Sequence, residues 1–531
     1  MIRYPAALAI AACAAAPAAA QQSRQVTIAP YIEASQTLDA DLNGGDVLTY
    51  TSVAAGIDAG IATQHTNGQA SVRYERRIGE GKYHDDSDVV TGLVRASTRL
   101  TSGLGVDVGG LATRTREDIR GAAPGLLFGN DANTTQLYSV YGGPTLSTHA
   151  GDVAIAAAYR IGYTKVRAPG ATGAEGLGRL DYFDHDLGQS AAASVGTTAG
   201  TVLPIGVTLS GGWNRDDASQ LKQRFDDVYG QAGVLVPVLP TVALAGDVGY
   251  EKLTVSQKDA VLTAAGTPAL DANGRYITDD ASPRRVAYRT DGVYWDAGVV
   301  WHPNHRTALN AYVGHRYDSM RYTGSLTYQA SKSTGLAVQV YDDVETFGHQ
   351  LQDGLAALPT SFIAARDAFS QQHNGCVFTS SGSTPGGCLD SVFQSITTAS
   401  YRARGVDGVV SVNRGLSTYG LGAGYENREL YAPNVPLGAL VYGQHDQSAY
   451  GQFFYGRQLS RVSGIQANLF VNWYDSGTSD VDVWSYGATA SYYHNFGRLG
   501  TTATLGIYDF KQADVRSQVS AQAQVAARYT F

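Results

Sequence analysis

The chain has 531 residues, 16% of them charged, with a formal net charge of −8 and a mean hydropathy of −0.16. An acidic balance without a basic patch argues against a nucleic-acid partner. Beyond the N-terminus no stretch approaches the roughly 20 apolar residues that a membrane helix needs, so any membrane crossing has to be made by strands.

Residues 1–20 read as a signal peptide. Arg3 precedes a short apolar run, and Ala18-Ala19-Ala20 before Gln21 forms a small-residue cleavage site. Ile10-Ala11-Ala12-Cys13 also resembles a lipoprotein signal, and on either reading the mature chain is exported. Residues 21–531 are expected to form one unit. Its first strand, QVTIAPYIEA, begins close behind the cleavage site, which leaves no room for an N-terminal plug domain.

From there the pattern is period two, the signature of strands. Ala70, Val72 and Tyr74 oppose Gln69, Ser71, Arg73, Glu75 and Arg77. Val153, Ile155, Ala157, Tyr159, Ile161 and Tyr163 share a face opposite Arg160. Val293, Trp295, Ala297, Val299 and Trp301 align, as do Tyr322, Leu326 and Tyr328 against Thr323, Ser325, Thr327 and Gln329. Ile465, Ala467, Leu469, Val471 and Trp473 oppose Gln466, Asn468 and Asn472. The C-terminal QVSAQAQVAARYTF places Val519, Ala521, Ala523, Val525, Ala527, Tyr529 and Phe531 together, small aliphatic in the middle and aromatic at the end. That is how a lipid-facing strand with an interface girdle reads.

The connections alternate between two kinds. Tight turns at 65–68, 101–103, 148–151, 203–204, 237–240, 302–306, 331–334, 413–415, 459–464 and 496–498 carry Gly, Pro, Asn and Ser. Mostly longer polar connections lie near 35–47, 79–87, 117–133, 167–186, 216–224, 256–290, 345–401, 432–446, 475–480 and 512–516, with a short one at 318–320. Short periplasmic turns facing longer outer loops are the outer-membrane pattern. Ten turns and eleven outer connections predict an all-β fold: a transmembrane antiparallel up-and-down β-barrel of about 22 strands, plus or minus two, in the outer membrane of a Gram-negative bacterium.

The longest connection, 345–401, combines two features. Leu351, Leu355, Leu358, Phe362, Ile363 and Phe369 are spaced for one or two short amphipathic helices broken at Pro359. A Gly/Ser-rich lobe follows between Cys376 and Cys388, the only cysteines left if Cys13 is removed. A disulfide there is plausible in an oxidising compartment and would contribute roughly 2–3 kcal/mol in the chain-entropy model. The segment is either an outer cap or a plug-like insertion. A barrel of this size is too wide for its wall side chains to fill, which favours folding inward.

Residues 309–348, LNAYVGHRYDSMRYTGSLTYQASKSTGLAVQVYDDVETFG, resemble a segment of outer-membrane barrels associated with the PEP-CTERM/exosortase system. The matching residues are Gly314, Arg316, Tyr317, Gly324, Ser325, Leu326, Tyr328, Ser331, Thr334 and Leu336. The resemblance implies a barrel encoded with exopolysaccharide export machinery. Tyr529 and Phe531 likewise resemble the C-terminal signal read by the barrel-assembly machinery. Other expected contacts are outer-membrane lipid and lipopolysaccharide.

The strand phase directs Arg73, Glu75, Arg77, Arg95, Arg99, Arg160, Arg316, Glu426, Arg428 and Arg528 into the lumen, with Asp107, Glu251, Asn310 and Gln522. Two readings follow: Arg–carboxylate pairs stiffening the wall, or a conduit that is either mildly anion-favouring or has Arg, Asn and Tyr side chains that bind hydroxylated or acidic sugar polymers. Tyr31, Tyr50, Tyr312 and Trp213 are candidate sugar-stacking platforms. No G-x-S-x-G or H-x-x-x-H motif occurs, and the eleven His are scattered, so no catalytic residue, metal site or cofactor is expected. The leading function is therefore a pore or conduit. The alternative is a closed structural or adhesin-like barrel whose outer loops bind surface polysaccharide.

Overall fold

The computed structural model describes residues 25–80, 86–116, 134–167, 183–271, 275–364, 366–367, 369–373, 375–379, 381–393, 396, 400–431, 445–475, 482–512 and 517–531. The signal-peptide reading and the tips of several outer connections fall outside these residues.

Within them lies a 22-stranded antiparallel sheet closed into a barrel. In chain order its strands are β1 (Gln25–Asp41), β2 (Val47–Ala62), β3 (Thr66–Glu80), β4 (Ser87–Arg99), β5 (Leu104–Arg116), β6 (Thr134–Ala150), β7 (Val153–Arg167), β8 (His185–Thr197), β9 (Gly206–Ala218), β10 (Arg224–Leu239) and β11 (Val242–Gln257). Then follow β12 (Arg285–Asn304), β13 (Thr307–Arg316), β14 (Ser319–Ser331) and β15 (Thr334–Glu345), and after the long insertion β19 (Ser400–Arg414), β20 (Ser417–Tyr431), β21 (His445–Gln458), β22 (Ser463–Asp475), β23 (Asp482–Phe496), β24 (Leu499–Gln512) and β25 (Gln518–Thr530). Each strand pairs with its chain neighbour, β15 pairs with β19, and β1 closes on β25 from Tyr31↔Thr530 to Asp41↔Ser520. Closure leaves no free sheet edge around the ring, the condition for crossing a bilayer with strands.

The alternation dictates which way each side chain looks. Val293, Leu505 and Val525 are 69%, 67% and 65% exposed, whereas Asp227, Ser411 and Ser520 are completely buried. In a soluble protein this order would be inverted. Here the apolar face meets lipid and the polar face meets the interior. Short turns at one end, longer connections at the other and an even strand count complete the outer-membrane architecture.

Two boundaries differ from expectation. Ser35–Asp41 continue β1 instead of opening the first loop, because Ser35, Thr37 and Asp39 keep the inward phase and are buried. In the insertion past Pro359, the residues expected in a second helix, Phe362, Ile363 and Phe369, are not helical. Its helix α1 (Phe347–Ala357) is followed by β16 (Ile363–Ala364), β17 (Cys376–Phe378) and β18 (Gly386–Cys388), a small sheet in which Ile363 sits opposite Phe378, and then by the four-residue α2 (Asp390–Phe393). Strand pairing satisfies the backbone there better than a helix restarted on β-branched and aromatic residues.

The facing is directly testable. Arg at Leu469 or Ala523 meets lipid and is expected to cost about 2–4 kcal/mol near the midplane, read as a lower unfolding midpoint in urea. Arg at Asn468 or Gln522 looks inward and is expected to be tolerated better. Equal damage at both pairs of sites would overturn the phase.

Candidate functional site

The insertion between β15 and β19 leaves the wall and returns to it where Glu345 lies opposite Tyr401. Between those points it crosses the lumen. On one side, Phe347, Leu351 and Leu355 of α1 pack with Leu358, Phe362, Val377, Leu389, Val392, Phe393 and Ile396 of the same insertion against Leu93, Leu111, Leu137 and Val166 of the wall. On the opposite side, Cys376 and Cys388, joined as a disulfide, and Phe378 pack on Val409, Tyr450 and Phe454. Wall glycines make this possible. A Cβ at Gly422 would collide with both cysteine sulfurs, and one at Gly162 with the side-chain amide of Gln352.

Leu93, Leu111 and Leu137 occupy inward positions beyond the charged candidates named from the strand phase. Their signal was available: β4 reads VVTGLV, apolar on both phases, as a strand buried on both faces does.

The wall also holds the insertion through its charges. Thr346 caps α1 by accepting from the backbone N–H of His349 at 3.1 Å. At the other end of the helix, Arg95 donates from Nη2 to the carbonyl of Ala356 at 2.9 Å and from Nε to that of Leu358 at 3.0 Å, while Nη1 reaches Asp107 at 2.8 Å. Asp186 lies against Gly348 in the first turn. The Arg95 guanidinium at the helix C-terminus complements the macrodipole there. Arg77 donates from Nη2 to the carbonyls of Phe369 and Ser370, both at 3.1 Å.

A buried charged cluster pins the first turns of α1. His349 lies 3.7 Å from Asp216 and 3.3 Å from Asp353, and Arg160 pairs with Asp353. Burial opposes charge on His349, yet Asp353 and Asp216 outweigh it and hold the imidazolium well above the ordinary histidine range. Burial likewise works against the Asp353 carboxylate, but His349 and Arg160 keep it well below its usual range. His373, buried and beside Arg366, is pushed down to about 3 and stays neutral.

Most of the remaining lumen candidates form pairs. Arg73 bridges Glu33 at 2.9 Å and Glu75 at 2.7 Å, and Glu75 also holds Arg77 at 2.6 Å. Arg316 binds Glu251 and lies 4.6 Å from the Tyr294 ring centre. Arg428 binds Asp446 at 2.8 Å, and Glu426 accepts from Gln350 of the insertion at 2.7 Å. Arg528 pairs with Asp58 and stacks over Tyr31 at 3.4 Å, as Arg77 does over Tyr50 at 5.5 Å. These two tyrosines are therefore buried under arginines. Arg99 is exposed at the periplasmic end of β4. Tyr312 lines a lumenal cavity of about 160 Å³ with Leu235, Pro237, His302 and Asn310. Trp213 is a correction: it shares the phase of Leu209 and lines the outer, lipid-facing wall. Among the described residues no group of three or more His, Cys, Asp or Glu is placed to hold a metal ion.

No protein-family model matches the sequence, and a search of curated proteins found no match. Solved structures match over nearly the whole chain at low identity. The ferric-catecholate import receptor Fiu of E. coli is 10% identical, with 94% of this chain and 81% of that one covered and a TM-score of 0.44. The FrpB iron transporter of Neisseria meningitidis is 8% identical, over 95% and 82%, with a TM-score of 0.43. OccK2 of Pseudomonas aeruginosa, solved with glucuronate, is 9% identical, over 96% and 98%, with a TM-score of 0.31.

Proposed function

We propose that this protein is an outer-membrane conduit whose lumen is closed by its own insertion, residues 346–399. The observation that carries this reading is that one segment docks on opposite walls at once, Leu93, Leu111 and Leu137 on one side and Val409, Tyr450 and Phe454 on the other. A surface cap would need neither apolar lumenal leucines nor wall glycines shaped to receive it. Planar-bilayer recording tests the reading: rare, brief openings in the intact protein support a gated conduit. A barrel that never conducts, even with the insertion removed, supports the closed, polysaccharide-binding alternative.

The proposed solute is a hydroxylated or acidic sugar polymer. Support comes from the resemblance of residues 309–348 to exopolysaccharide-linked barrels. Within that segment Arg316 is spent on Glu251, so sugar contact would fall on the cavity lined by Asn310, Tyr312 and His302.

The latch chemistry gives a pH dependence. His349 has a raised value in the folded state, so its contribution is complete below about pH 6.5, the unfolded reference. It is lost as the pH climbs through the raised value. Asp353, held low, contributes above about pH 3.9 and loses its part only as acid reaches the lowered value. Open probability is therefore expected to rise on alkalinisation and to become pH-independent over that range in His349→Leu. A wild-type channel with flat alkaline behaviour would remove His349 from the latch.

Assembly is proposed to use the terminal aromatics. Phe531 is 61% exposed and its ring meets Tyr529 edge-on at 5.3 Å. Phe531→Asp is expected to reduce the heat-modifiable folded band in outer-membrane fractions sharply, and normal abundance would exclude the signal.

A further inference from the structure

The outer wall carries a groove that the conduit reading does not use. Across β7, β8 and β9, Ala157, Ala193 and Gly211 lie in one register row, and Tyr159, Ala191 and Trp213 in the next. With Leu146 at its border they enclose an almost wholly apolar groove of about 530 Å³ on the lipid-facing side. The neighbouring ladder contributes to the recess, because β6 and β7 do not pair at Gly143 and Pro144.

Above this groove the surface turns cationic. Arg215 follows Trp213 on the same outward phase, about 7 Å nearer the outer rim at the usual strand rise. Its Nε lies 2.8 Å from Asp217, and the Nε of Arg224 lies 2.6 Å from the same carboxylate. Arg284, on the outer connection, donates to the carbonyl of Lys222 at 2.8 Å. Burial and then the nearby charges of Arg224 and Arg215 lower the pKa of Arg284, as crowded cations do. Three guanidiniums thus face two carboxylates, Asp217 and Asp226, the latter opposite Arg215 across the ladder.

An apolar slot in the membrane, a girdle tryptophan and a surplus of guanidinium just beyond it match one amphiphile: an acyl chain joined to a phosphate-bearing headgroup in the outer leaflet. We infer that this face is a binding site for one lipopolysaccharide molecule, with a lipid A phosphate at Arg215, Arg224 and Arg284 and an acyl chain in the groove floored by Ala157, Ala193 and Gly211. Guanidinium suits this role because its fork engages phosphate oxygens in pairs.

The test is native mass spectrometry of the full chain in detergent, titrated with lipid A, with dephosphorylated lipid A and with phosphatidylglycerol. Wild type is expected to bind lipid A at least tenfold more tightly than either other lipid. The Arg215→Gln/Arg224→Gln/Arg284→Gln variant and the groove-filling Ala193→Phe variant are each expected to lose that advantage. Heat-modifiable migration checks that each variant is folded. Should the triple variant not fold, Arg284→Gln alone, outside the strands, is expected to weaken lipid A binding about threefold. Undiminished lipid A binding by folded Gln variants, or phosphatidylglycerol bound as tightly as lipid A, would overturn the assignment.

Discussion

Deleting residues 350–398 and joining the flanks with a short Gly/Ser linker is expected to raise single-channel conductance several-fold and to sensitise cells to bulky antibiotics. The flanks can be joined because Glu345 and Tyr401 are already register partners. The wall of a 22-stranded barrel is too wide for its own side chains to fill, so removing the segment that bridges it leaves a passage. Deletion also uncovers Leu93, Leu111 and Leu137, which now pack on α1. Apolar surface turned to water costs about 25 cal/mol per Å², so the bare deletion is expected to lower the folded yield. A companion variant with all three leucines changed to Ser should restore yield while keeping the high conductance. If the companion folds and conducts as the intact protein does, the insertion is not the gate.

The architecture was legible because a membrane barrel writes its fold in period two. The ten tight turns all separate strands, and β25 carries the outward phase read from Val519 to Phe531. The lumenal arginines were legible for the same reason, since one residue of phase decides inside from outside. Their partners were harder to read. Arg95 meets carbonyls more than 260 residues away, and no local pattern encodes which loop folds back to meet it. Trp213 was misplaced because its strand, GVTLSGGWNRDDA, has small residues on both phases, so alternation there is too faint to orient it. The disulfide pair is visible as the only cysteines beyond residue 13. The seat of α1, built from Asp186 and Arg95 on different strands, exists only once the barrel has closed.

The wall and the insertion share one component, and that gives the second large effect. Glu75 is the common partner of Arg73 and Arg77, at 2.7 Å and 2.6 Å, and all three are almost fully buried. Removing one partner of a buried pair costs about 3–5 kcal/mol, chiefly because the remaining charge keeps its desolvation. Glu75→Ala is therefore expected to lower the urea midpoint of the folded barrel markedly. Arg73 retains Glu33 at 2.9 Å, but Arg77 loses its carboxylate while it still holds the carbonyls of Phe369 and Ser370. A guanidinium freed from that geometry seeks water and releases the insertion, so the variant is also expected to leak. Glu251→Ala supplies the contrast. It strips Arg316 of its carboxylate in an equally buried pair at a place where the arginine's ring contacts are the wall and turn tyrosines Tyr229, Tyr294 and Tyr317. Comparable loss of stability with leakage confined to Glu75→Ala would tie this ion cluster to the gate. Leakage from both variants would mean that the barrel loosens as a whole and that Arg77 has no separate part in closing it.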